Sequence, residues 1–178
     1  METQSIVLLI INIAGGIAVI GSYIGGIITH PGSGGALWGG VPKSIRPIYG
    51  ISMVFAALGY FAFIYYLLFQ IKPDDVQVAG EFGYNVYYII FIGILIPSAL
   101  WMPLTCSMLK KLGSVKWVAV RTVLILVGIS SCALVWALLS MQQNETGLSY
   151  WFAVAGSVYF AFHTAVLDMI VWPVLFKK

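Results

Sequence analysis

An all-α membrane protein, a bundle of five membrane-crossing helices, is the fold class this sequence predicts, and two observations carry the prediction. The 178 residues are 61% hydrophobic and 8% charged. That is more apolar surface than a water-soluble globule can enclose, whereas a bilayer solvates it directly. Eight of the nine Lys and Arg residues also fall on one side once five apolar stretches are threaded in order. Lys43, Arg46, Lys110, Lys111, Lys116, Arg121, Lys177 and Lys178 occupy the first connection, the third connection and the C-terminus; Lys72 alone lies opposite. Loops rich in Lys and Arg stay cytoplasmic, so the N-terminus is expected outside and the C-terminus inside.

A helical span needs roughly 20 mainly apolar residues. Five windows qualify: Ile6 to Thr29, Ile48 to Ile71, Tyr84 to Met108, Trp117 to Ser140 and Leu148 to Phe176. They are read as helices because an open sheet edge in hydrocarbon leaves backbone groups unpaired, and the alternation of a membrane barrel is absent. The first window is expected to be a retained span rather than a secretion signal, since Glu2 sits where a basic region belongs and the run is too long. Short connections make residues 1–178 one integral membrane domain.

The net charge of +3 is explained by basic residues flanking the membrane, so nucleic acid is not a predicted partner. Cys106 and Cys132 show no paired spacing, zinc pattern or redox motif and are expected to be buried free thiols. The second connection, with Lys72, Asp74, Asp75 and Glu81, reads as solvated surface, because metal-ligand spacing is missing. Asn144, Glu145 and Thr146 form a glycosylation sequon too close to both flanking spans to be an attractive acceptor.

The first connection, HPGSGGALWGGVPKSIRP, holds five Gly and three Pro, a composition that predicts no helix. Trp38 in its middle either lies in the headgroup belt or folds back as a lid. In the first span Gly21 and Gly25 form a small-xxx-small pair, expected to contact another helix of this chain or of a second copy.

Polar groups inside the bilayer carry most information about function. An Asp at the centre of a span costs about 2.5–3.5 kcal/mol on insertion scales, so Asp168 and His163 of the last span are expected to face the bundle interior. Five residues apart on a regular helix they stand about 140° from one another, which predicts no direct dyad. Arg121 is one candidate partner for Asp168. Spans three and five run the same way, so Trp101, Pro103, Asp168, Trp172 and Pro173 share the cytoplasmic half with Pro47, Tyr49 and the loop carrying Trp38 and Pro42. Aromatic walls with a few polar groups are the chemistry of a pocket for a flat apolar ligand; interfacial belt residues are the competing explanation.

At these residues the chain resembles the tryptophan-rich sensory protein or translocator protein family (TspO/MBR), as a distant member. That family's third span has an Asn followed by a Trp-x-Pro-Leu run, matched here by Ser98 and then Trp101, Met102, Pro103 and Leu104. The end of its fifth span is matched by Leu167, Asp168, Met169, Ile170, Val171 and Trp172, with Asp168 where the family carries an amide. The loop residues Trp38, Pro42 and Pro47 correspond more loosely, with the family's Trp-x-Pro-Pro element stretched.

The resemblance implies binding of a hydrophobic planar molecule, a tetrapyrrole such as protoporphyrin or a sterol-like compound, in a bundle that is often dimeric. Trp38 and Tyr49 would close the site, Trp101 would line a wall, and Ser98 and Asp168 would supply polar contacts, with Pro103, His163 and Trp172 beside them. Exchanging an amide for a carboxylate removes donors and adds a possible charge. No resident cofactor is required. Two other classes fit the composition: an accessory subunit of a larger membrane complex, and a small transporter with Asp168 as coupling carboxylate, although no internal repeat is visible. Enzyme chemistry has least support, since no nucleophile–base pair, phosphate loop or metal cluster is legible. A prokaryotic plasma membrane and an organelle membrane both satisfy the sequence.

Overall fold

The computed structural model describes residues 2–30, 33–142 and 147–176; the sequon at Asn144 and the basic pair Lys177 and Lys178 lie outside them. The described residues form helices α1 (Thr3–Thr29), α2 (Ser33–Leu37), α3 (Arg46–Phe69), α4 (Val86–Lys110), α5 (Ser114–Leu139), α6 (Leu148–Ala161) and α7 (Trp172–Leu175). A π-helical segment, Phe162–Val171, joins α6 to α7. Five helical stretches of 24 to 28 residues are apolar enough to cross a membrane. At 1.5 Å per residue they are about 36–42 Å long, more than a hydrocarbon core requires. Their limits fall within three residues of the windows read from hydropathy.

The short α2 departs from the expectation of a helix-free first connection. Its turn persists in spite of Gly34 and Gly35 because tertiary contacts hold it: the Trp172 indole N–H donates to the Leu37 carbonyl at 3.0 Å, and α2 packs on α4. Just beyond, Gly39 has a φ of 56° and a Cβ there would run into the Phe176 ring. The loop therefore folds inward over the bundle end at this glycine.

Neighbouring helices pack in the order α1, α4, α5, α6 with its π extension, and α3; α3 returns toward α1 but touches it sparingly. Close approach is made by glycines. A Cβ on Gly15 would stand 2.6 Å from Leu95 Cδ1, and one on Gly26 would overlap Met102, which fixes α1 against α4. Gly59 and Gly156 bring the backbones of α3 and α6 together, and Gly128 accommodates Ala165 and Met169 of the π segment. Gly21 and Gly25, expected to contact another helix of this chain or of a second copy, meet nothing within 4 Å among the described residues of this chain. Their side of α1 turns outward with exposed Ile13, Ile17, Ile20 and Ile24, because α1 has a single close neighbour.

Two apolar clusters fill the bundle. One, at the end where α1 begins and α3 finishes, is built on Phe63, Leu67, Tyr87, Phe91 and Leu134. There the Tyr84 hydroxyl donates to the Leu67 carbonyl at 2.8 Å and Tyr88 to the Gln4 carbonyl at 2.9 Å. The other, at the opposite end, contains Val41, Tyr49, Met108, Val120, Leu167, Trp172 and Phe176. Both cysteines are free, but only Cys106 is buried. Cys132 is exposed, a correction to the expected pair of buried thiols that follows from its place on the outer face of α5.

Candidate functional site

The candidate site lies at the second apolar cluster, where α1 ends, α3 begins and the last span finishes. Its organising feature is the π segment. On an α-helix residues five apart point in different directions, but i to i+5 hydrogen bonding widens the turn and brings residue i+5 nearer the face of residue i. The Trp172 backbone N–H accordingly donates to the Leu167 carbonyl, and His163 Nε2 comes to 3.5 Å from Asp168 Oδ2. The expected separation of about 140° assumed a regular helix and is corrected by this change of register. Arg121, the partner considered for Asp168, is exposed instead.

The other imidazole nitrogen, His163 Nδ1, lies 2.9 Å from the Ser52 hydroxyl of α3. Ser52, His163 and Asp168 thus form a polar chain between the two apolar clusters, and a serine–histidine pair exists where none was legible in sequence. In this order of groups a hydrolase would use serine as nucleophile. Ser52 is only 3% exposed, so its hydroxyl is walled in by packing and acts here as the hydrogen-bond partner that orients the ring.

Asp168 faces the loosely packed seam between α1 and α3. The hydroxyls of Tyr23, from α1, and Tyr49, from α3, both lie within electrostatic reach of its carboxylate. Its side chain is 34% exposed, against 10% for His163, and this pair is the only ion-pair contact among the described residues. Farther along, the seam is closed by a hydrogen bond from the Tyr60 hydroxyl to the Asn12 side chain.

Aromatic rings from several segments meet in the same half of the bundle. Tyr23 stacks on Trp101 with centroids 5.6 Å apart, and Trp101 meets Trp172 edge-on at 5.9 Å. Tyr49 touches Trp38 at 5.9 Å and His163 at 6.5 Å, and its hydroxyl donates to the Leu167 carbonyl at 2.9 Å. The Arg46 guanidinium sits 5.5 Å from the centre of the Trp38 ring and donates to the Val41 carbonyl, which pins Trp38 over the bundle end. Two buried polar atoms of α4, Trp101 Nε1 and Thr105 Oγ1, have no hydrogen-bond partner among the described residues.

Of the residues singled out by sequence, Trp38, Tyr49, Trp101, His163, Asp168 and Trp172 come together. Trp172 is 5% exposed and anchors α2 more than it lines a surface. Ser98 is half-buried and its hydroxyl returns to the Ile94 carbonyl of its own helix at 2.6 Å. Pro103 faces outward. Tyr23 and Ser52 were not singled out. Tyr23 is the one aromatic residue of the first span, a signal that was available; Ser52 resembles any small polar residue in a span. Clefts of about 260 Å³ beside Met108 and Trp117 and about 340 Å³ beside Glu2 and Pro73 lie away from Asp168.

No protein-family model matches the chain, and neither a curated protein nor a solved structure gives a significant match. The site is therefore argued from its own geometry.

Proposed function

We propose that this chain is an integral membrane protein that binds a flat hydrophobic molecule, of the tetrapyrrole or sterol-like class, in the half of the bundle nearest the C-terminus. The charge distribution supports an outside N-terminus and a cytoplasmic C-terminus, in a prokaryotic plasma membrane or an organelle membrane. The observation that carries the functional reading is the convergence of Tyr23, Trp38, Tyr49 and Trp101 from four separate segments in the part of the bundle that holds one intramembrane acid. Such rings offer a flat molecule large apolar contact and stacking, and intramembrane ionisable groups mark functional sites. The ligand enters from the loosely packed seam between α1 and α3 and displaces the Tyr23 ring from Trp101, on which it stacks.

The experiment is a titration of detergent-purified protein with protoporphyrin dimethyl ester, a flat macrocycle without free carboxylates, followed by tryptophan quenching and the Soret band. Saturable quenching is expected, and Trp101→Ala is expected to abolish saturation while Trp38, Trp117 and Trp172 remain as reporters. Equal, non-saturating partition into both proteins refutes the reading.

A further inference from the structure

Within the reading of this region as a ligand site, we propose that its ligand carries a protonated amine beside the flat ring, seated against Asp168 in the part of the bundle that also holds Tyr23, Tyr49 and Trp101. The argument begins with charge. Among the described residues no Lys or Arg lies within ion-pair distance of the Asp168 carboxylate, and His163 approaches it only to 3.5 Å, long for a charge-assisted hydrogen bond. Among the described cations of the same half, Arg46 holds Trp38 and the Val41 carbonyl, Lys116 donates to the Ser107 carbonyl, and Lys43, Lys110, Lys111 and Arg121 are exposed. His163 is held on its far side by Ser52, so it cannot turn to cover the carboxylate further.

The partly exposed acid thus lacks a close cation in the place where one is most needed. A small ammonium on a ligand meets that need, and electron-rich aromatic faces attract the same group. The buried Trp101 N–H has no acceptor among the described residues, and a ligand oxygen or ring nitrogen would satisfy it. A flat ring, an amine and one acceptor are therefore the recognition elements. Ligands with free carboxylates are disfavoured beside Asp168 by like-charge repulsion.

Three tricycles of similar outline test this: aminoacridine as cation, methylanthracene as neutral ring and anthracene carboxylate as anion, each titrated in one non-ionic detergent by tryptophan quenching. The wild-type chain is expected to bind the cation at least about tenfold more tightly than the neutral ring, the factor that 1.4 kcal/mol represents, and the anion most weakly. Asp168→Asn, verified as folded by circular dichroism and gel filtration, is expected to remove the cation's advantage and leave the neutral ring's affinity within about twofold, well under that tenfold step. The three-ligand comparison on wild-type protein stands even where the variant fails to fold. Equal affinity for cation and neutral ring overturns the amine inference, as does a cation preference that survives Asp168→Asn. If the neutral ring still binds in a Trp101-dependent way, the ligand site stands and only the amine is lost. Absence of saturable binding by every tricycle overturns both.

Discussion

Replacing Gly59 by Ala tests the packing that places the polar chain. A Cβ at Gly59 would stand 2.5 Å from the Gly156 carbonyl oxygen and 2.9 Å from Gly156 Cα. Close C···O contacts settle near 3.3–3.6 Å, so α3 and α6 must separate by roughly 0.8 Å or more to reach that range. Backbone cannot rotate aside as a side chain does. Overpacking of this kind costs about 1–3 kcal/mol, which lowers the melting temperature of a chain this size by about 2–12 °C. The same separation, carried down α3 to Ser52, would stretch the 2.9 Å contact with His163 Nδ1 past hydrogen-bond length. Thermal unfolding in detergent, followed by circular dichroism, is the assay. The control is Gly21→Ala, where a Cβ meets nothing within 4 Å and alanine is the better helix former; no loss is expected. Wild-type melting of Gly59→Ala, or an equal loss in both variants, would refute the packing argument.

Tyr84→Phe leaves the buried Leu67 carbonyl without its 2.8 Å donor and is expected to cost about 1–3 kcal/mol in the same unfolding assay; an unchanged melting temperature removes that bond from the account. Asp168→Asn is expected to keep the fold and its melting temperature, because the only ion-pair contact of this acid among the described residues is a long one. A large drop would instead identify the His163–Asp168 contact as a structural ion pair. For topology, a fluorescent protein fused to the C-terminus is expected to glow in bacteria and an alkaline phosphatase fusion to be inactive; the opposite pair of results would invert the orientation.

How much was legible in the sequence differs by residue. Asp168 and His163 were recognisable as inward-facing, because burying an ionisable side chain in a span is costly wherever the neighbours lie. Trp38, Tyr49 and Trp101 could be assigned to one end by following the alternation of spans. Their mutual contacts could not, since alternation fixes depth and leaves rotation about each helix axis free. The glycines make the same point. Gly21 and Gly25 have the spacing of a contact motif, yet Gly15 and Gly26 are the ones against α4, because which face turns inward depends on the neighbour a helix happens to have.

Composition and charge order by themselves determined five apolar helices, their lengths to within a turn, and the half of the bundle in which the aromatic residues and the acid gather. These depend on transfer from water to hydrocarbon, a property summed over local residues. Only the tertiary structure decided that His163 meets Asp168, that Ser52 orients the ring, and that Tyr23 joins the aromatic wall. The first of these rests on a backbone hydrogen-bond register, i to i+5 over Phe162–Val171, and no local pattern of apolar residues encodes it. That register is held by the packing of the π segment on α5 and by the Tyr49 hydroxyl, which bonds the Leu167 carbonyl from a residue 118 positions away.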